Sequence, residues 1–346
     1  MRLHIQNINK IKEADIALNG LTVIVGENDM GKSTIGRAFF SIIKAVSNMR
    51  SLSNESSANK ASKHIDSLYK HFYGKKIIDG TMDLLPRVKS EMERICQDEA
   101  ERNAFLDHLN AKIEDIDLSP RQKSLLKEDI VNIRICFDQV NNPAAVLKME
   151  LAYLVESEFM GQFCSSKSEL TNVMLDTEEE GKLSFKAKDN QVTNVSFSER
   201  GFYEDITYVE SPLYFHLLDS LKSSVAYREM KRTLGYKPMV PAHVKDFVDK
   251  VLNFQNFDTQ LSLLEPQSKD FHTADIIHGT FAYDKSSRSI VYQKDGMKIK
   301  PINVASGIKS FGALQLLLDG YCISNNRPLI WDEPENHLHP QWQVEF

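Results

Sequence analysis

Cysteine is scarce in this chain, with four in 346 residues: Cys96, Cys136, Cys164 and Cys322. They lie far apart and form no CxxC pair, which argues against a disulfide framework or a thiolate zinc site and suits a reducing cytosol. Long apolar runs are missing too. The N-terminus MRLHIQNINKIKEADIALNG holds none, and no later window approaches the roughly 20 apolar residues needed to span a bilayer. Nor is one charge in large excess: 48 acidic against 42 basic residues give −6, too mild for chain-wide attraction to nucleic acid or an anionic membrane. No internal repeat is visible. With 42% hydrophobic and 26% charged residues, disorder of the whole chain is excluded, and there is enough chain for one large core or two smaller ones. The expectation is a soluble, cytoplasmic protein without membrane association.

Against these absences stands residues 21–34, LTVIVGENDMGKST. An apolar, β-branched run predicts a strand, and it meets G-x-x-x-x-G-K-S-T from Gly26 to Thr34. This spacing builds a phosphate-binding loop: Gly26 and Gly31 permit a tight path that aims successive N–H groups at phosphate oxygens, Lys32 supplies a point charge, and Ser33 ligates magnesium. Behind it Ile35, Ala38, Phe39, Ile42, Ile43 and Val46 recur at helical spacing. The predicted helix points its positive end at the phosphates.

Two further elements lie near the other end. In RPLIWDEPE an apolar strand, Leu329 to Trp331, runs straight into Asp332 and Glu333. In a phosphate-loop fold the first acid at such a strand end holds magnesium, and the next can polarise the attacking water. Upstream, NVASGIKSFGALQLLLDGY places Ser306 as cap and Gly307 at the start of a helix whose apolar face is Leu314, Leu317, Leu318 and Tyr321.

These elements, in this order, resemble the ATP-binding-cassette heads of the SMC, RecF and OLD class of ATPases. ASGIKS and DEPENHLHP are similar to the prokaryotic OLD-like, AAA-labelled members. The likeness covers about 1–47 and 270–346. It implies an α/β fold: a P-loop ABC-ATPase head with a mixed sheet, an antiparallel β-subdomain and a helical insertion. It further implies that Gly26, Asn28, Gly31, Lys32, Ser33 and Thr34 bind ATP, that Ser33 and Asp332 serve Mg2+, and that Glu333 is the catalytic base. Ser306, Gly307 and Lys309 match the signature segment, which in this class contacts ATP held by a second copy, so a head-to-head homodimer is implied. Asn336, His337, Leu338 and His339 fall at the D-loop. His337 and His339 beside Glu333 and Glu335 also have H-x-H spacing, but Pro340 argues for a turn rather than a transition-metal site.

The Q-loop glutamine of the family is not identifiable; the strand in DITYVESP ends at Glu210 or Ser211 instead. The family's switch histidine has no counterpart before Phe346, so the expectation is a C-terminally shortened head, with an effector such as a Toprim nuclease beyond it. The expected core is 1–47 with 200–221 and 246–346. A helical insertion fills 48–170, beginning with the mobile-looking SNMRSLSNESSANKASK and carrying helices marked by Phe105, Leu109, Ile113 and Ile116 and by Ile130, Ile133 and Phe137. Alternation around turns makes 171–199 and 279–304 the β-subdomain. A basic surface insertion, 222–245, interleaves Tyr227 and Tyr236 with Lys222, Arg228, Lys231, Arg232 and Lys237 and is the best local candidate for nucleic acid. The functional expectation is an ATP-hydrolysing switch controlling an effector, with DNA contact and phage defence left open. The alternative is a nucleotide-binding interaction module with little turnover.

Overall fold

The computed structural model describes residues 1–54, 65, 95, 98–115, 119–138, 143–165, 170–198, 200–218, 240–253, 273–287, 289–336, 338 and 340–345. They fall into two compact units. One is built from Met1–Ser47 and the described residues from Leu151 on, the other from those of Asn48–Glu150.

In the first unit the chain opens with an antiparallel hairpin, β1 (Arg2–Ile8) and β2 (Ile11–Ala17). Leu3 and Ile5 point inward at the two-residue period of a strand. Asn7 then adopts φ 59, which resets the alternation so that Ile8 is buried in its place. Three further strands, β3 (Thr171–Asp176), β4 (Lys182–Lys188) and β5 (Gln191–Ser198), extend this sheet in the order β2-β1-β3-β4-β5. The predicted meander at 171–199 is present, but its partner is the N-terminal hairpin. The other predicted β segment forms a separate antiparallel sheet of β7 (Thr280–Asp284), β8 (Ser289–Lys294) and β9 (Met297–Ile299). The two segments, each antiparallel as expected, thus lie in different sheets, and β1 takes the edge of β3.

A two-stranded parallel sheet joins β6 (Thr207–Val209) to β10 (Leu329–Trp331). Helix α1 (Lys32–Asn54) lies against it: a Cβ on Gly36 would stand 3.4 Å from Ile330 and 3.7 Å from the Tyr208 ring. Its predicted apolar face is buried apart from the half-exposed Ile35, and Phe40, at 0% exposure, belongs to it as well. The helix also runs on to Asn54, so the start of the expected serine-rich connection is helical. Helix α5 (Ala242–Asn253), the short α6 (Thr273–Ile277) and α7 (Ser306–Asp319) complete the main core, where Phe215, Phe247, Phe281, Phe311 and Leu316 meet. Gly312 of α7 is what lets Phe281 in, since a Cβ there would stand 2.3 Å from its ring. A last helix, α8, covers Pro340–Glu345.

One charged cluster ties this core together. Lys44 of α1 pairs with Asp205 and Asp246, and Lys250 of α5 pairs with the same two carboxylates while donating to Ile206 O and Thr207 Oγ1. Burial disfavours the Lys44 charge, but the two acids outweigh it and hold its pKa above the usual value.

The second unit contains α2 (Glu99–Asp115) and α3 (Pro120–Asp138), packed through Leu106, Leu109, Ile113, Ile130, Ile133 and Phe137. The predicted Leu109, Ile113, Ile130, Ile133 and Phe137 are among them, whereas Leu106 takes the buried place expected of Phe105, which is only partly buried, and Ile116 lies outside the described residues. Helix α4 (Pro143–Phe159) begins in this unit and ends in the first. Among the described residues no helix is long and apolar enough to cross a membrane.

Candidate nucleotide site

The predicted strand before the phosphate loop does not form. Leu21–Val25 is irregular and exposed, Leu21 at 92% and Val25 at 86%. Its β-branched residues have strand propensity, but among the described residues no neighbouring strand pairs with it, and a ladder needs two sides. The loop itself is organised. Gly31 has φ 93 and its missing Cβ would stand 2.7 Å from Ile11, so this position takes only glycine. At Gly26 a Cβ would meet nothing within 4 Å, so the tight-path argument does not apply there. Asp29, at φ 67, pairs with Lys10 in the β1–β2 turn.

Lys32 opens α1 and folds over its own loop, Nζ donating to Gly26 O at 2.8 Å and Glu27 O at 3.0 Å. Ser33 and Thr34 follow in the first turn. That turn carries no acidic side chain, so nothing competes with an anion for the helix N-terminus.

The acids sit where parallel strands end. Trp331 is in register with Val209, and the Asp332 N–H donates to Val209 O at 2.9 Å. Asp332 and Glu210 therefore leave neighbouring strands at the same, C-terminal end, where open α/β sheets bind their ligands. The Tyr208 hydroxyl donates to Asp332 Oδ2 at 2.8 Å. Glu333 is exposed and stands at φ 46, a conformation few non-glycine residues adopt. Asn336 bonds it twice, through Nδ2 to the carboxylate and through N–H to the carbonyl.

A third group was not foreseen. Glu210 receives Arg37 Nη2 on Oε1 at 2.6 Å, and the Tyr214 hydroxyl and His243 Nε2 both approach Oε2. Hydrogen bonding to His243, then to Tyr214 with the Arg37 charge, outweighs burial and lowers the Glu210 pKa to about 2. His243 Nδ1 lies 2.7 Å from Glu158 Oε2. Burial opposes a charged imidazole, but the two carboxylates raise its pKa above the ordinary value. These residues are spread from position 37 to 243 with no common motif. Only the end of the DITYVESP strand, already singled out at Glu210, hinted at them.

Ser306 is the first helical residue of α7, and the cap is Ala305, which makes no side-chain cap bond; Ser306 is not the cap expected of it. The buried face of α7 is Phe311, Ala313, Leu316 and Leu317, leaving the predicted Leu314 and Leu318 only half-buried. Gly307 and Lys309 are buried, Lys309 at 3% exposure, and burial lowers its pKa. Leu338 is buried as well. His337 and His339 lie outside the described residues, as do Cys96 and the whole basic stretch from Lys222 to Lys237. Among the described residues no three His, Cys, Asp or Glu side chains could hold a metal together.

The donor set fits a magnesium nucleotide. It offers an ammonium with exchangeable backbone partners, a hydroxyl in the first helical turn, an acid-free helix N-terminus, and a carboxylate at the adjoining strand end. No curated protein and no solved structure matches the chain. A family model described as an AAA ATPase domain matches residues 1–346, and the chain belongs to that family.

Proposed function

We propose that the protein is an ATP-binding and ATP-hydrolysing switch whose two heads close on Mg-ATP and reopen after turnover, driving an effector. The observation that carries this reading is the junction of α1 with β10: Gly36, one turn behind Ser33, packs on Ile330 and Tyr208, and Tyr208 bonds Asp332. The loop that binds phosphates and the acid that serves Mg2+ thus share one sheet end. Mg-ATP supplies the γ-phosphoryl group transferred to water. Lys32 neutralises the phosphates, Ser33 and Asp332 hold the cation, and Glu333 takes the proton of the attacking water. Asn28, Gly31 and Thr34 complete the loop.

Dimerisation is supported by the resemblance of Ser306, Gly307 and Lys309 to a signature segment that acts in trans, with Asn336 to His339 as the D-loop between the heads. A nuclease effector, DNA contact and a role in phage defence rest on that resemblance alone. A cytoplasmic setting is supported by Cys136, Cys164 and Cys322, which are all free thiols.

A second reading, a binding module with little turnover, is favoured by Leu21–Val25, which pairs with no strand among the described residues and so enters the loop without a ladder to hold it. Steady-state ATPase and nucleotide-binding assays on the full chain separate the two. The switch reading expects turnover that Glu333→Gln abolishes, with an ATP-dependent dimer accumulating, and binding that Lys32→Ala abolishes. Tight binding without turnover supports the module, and undiminished ATP affinity in Lys32→Ala overturns both.

A further inference from the structure

His243 is fully buried, yet both ring nitrogens face carboxylates, Nδ1 toward Glu158 at 2.7 Å and Nε2 toward Glu210 at 3.0 Å. A neutral imidazole has one N–H, and an ionised carboxylate only accepts. Both contacts are therefore satisfied together only when both nitrogens carry hydrogens. The backbone N–H of His243 donates to the other Glu158 oxygen at 2.7 Å, so Glu158, at 1% exposure, addresses this residue with both oxygens. Around the ring stand Phe40, Tyr208 and Tyr214, the Tyr208 ring centre 4.7 Å away.

One side chain thus touches the supports of both strand-end acids. It bonds Glu210, and it packs on Tyr208, whose hydroxyl holds Asp332. A group needed only to fill the core has no use for two carboxylates, since replacing buried ionic groups by apolar ones of similar volume is often neutral or stabilising. The outer end of this chain of contacts is not core, either. The Glu210 side chain keeps 31% of its surface exposed, beside Asp332.

We propose that His243 is a positioning residue for the nucleotide site. It fixes the Glu210 carboxylate next to Asp332 and steadies the Tyr208 ring that orients Asp332. Glu158 orients the imidazole from behind, while Arg37 and Tyr214 hold Glu210 from its other sides. The inference rests on the reading of this sheet end as the Mg-ATP site. It adds that the two acids are set by a single buried ring brought in by α5.

Two substitutions in the full chain test it. His243→Gln keeps a donor near the position of Nε2, facing Glu210, whereas His243→Asn keeps one near Nδ1, facing Glu158. Positioning predicts kcat within roughly threefold of wild type for His243→Gln and a loss of roughly tenfold or more for His243→Asn, with ATP affinity changed less than about threefold in either. A purely structural role predicts that activity follows Tm in both variants whichever nitrogen is mimicked. That result, or undiminished kcat in His243→Asn, overturns the proposal. If the variants do not fold, or the wild type turns over no ATP, the imidazole N–H resonances of the 15N-histidine-labelled wild-type chain decide. They shift when Mg-ATP binds if His243 supports the site, and unchanged resonances with ATP bound overturn it. Retained ATP binding in Lys32→Ala instead marks failure of the site reading itself.

Discussion

The Tyr208 hydroxyl donates to Asp332 Oδ2 at 2.8 Å, across the parallel pair formed by β6 and β10. The phenol is held in its neutral, donating form: burial, then the Asp332 charge, pushes its pKa well above the usual value. A buried donor that cannot ionise is a fixed reference for the carboxylate beside it. Tyr208→Phe removes only that donor. We expect a loss of about 1–2 kcal/mol in stability and a rise in the Mg2+ concentration needed for half-maximal ATP hydrolysis. Denaturant titration and a magnesium titration of turnover measure the two effects.

Two glycines make opposite demands. Gly312→Ala places a methyl group 2.3 Å from the Phe281 ring in the middle of the core, so overpacking lowers stability by about 1–3 kcal/mol, read as a lower Tm, with nucleotide affinity little changed. Gly31→Ala meets Ile11 and an unfavourable φ of 93. The loop is mostly exposed, so Tm moves less while nucleotide binding is lost. A variant series in which both glycines affected Tm and binding alike would contradict this division.

The His243 cluster gives stability a limit at each end of the pH scale. Glu210 is lowered from 4.5 to about 2 in the folded chain. Its contribution is complete above pH 4.5 and is lost as pH falls from there toward 2. His243 is raised above 6.5, so its contribution is complete below pH 6.5 and is lost as pH climbs through the raised value. Denaturant unfolding measured across this range is expected to show both declines, and His243→Gln should remove the alkaline one while leaving an acid decline.

Lys44 is the cation that α1 lends to Asp205 and Asp246. Lys44→Met leaves two partly buried carboxylates to share Lys250; breaking a fully buried pair by removing one partner costs about 3–5 kcal/mol, and the partial exposure of both acids puts the loss here below that range. The double variant Lys44→Met with Asp246→Leu should recover part of that loss. Thermal unfolding of the single and double variants provides the comparison.

Local chemistry carried the sequence a long way. Loop, acid-bearing strand and helix faces each depend on residues within a short window: a GKST ending, three apolar residues before Asp332, a 3.6-residue period in α1, α2 and α3. Those windows sufficed to locate β10 from Leu329 to Trp331 and to put the end of β6, which stops at Val209, within two residues of the expected Glu210 or Ser211. Tertiary structure decided what propensity alone cannot. Leu21–Val25 has the composition of a strand and is not one, because a strand exists only through a hydrogen-bonded neighbour. Asn7 redirects β1 by one positive φ, and β1 rather than the later β segment pairs with β3. The meeting of Arg37, Glu158, Glu210 and His243 has no sequence spacing to announce it. Buried charges tolerate their site only where the folded chain delivers partners from several elements at once, and that delivery is a property of the three-dimensional arrangement.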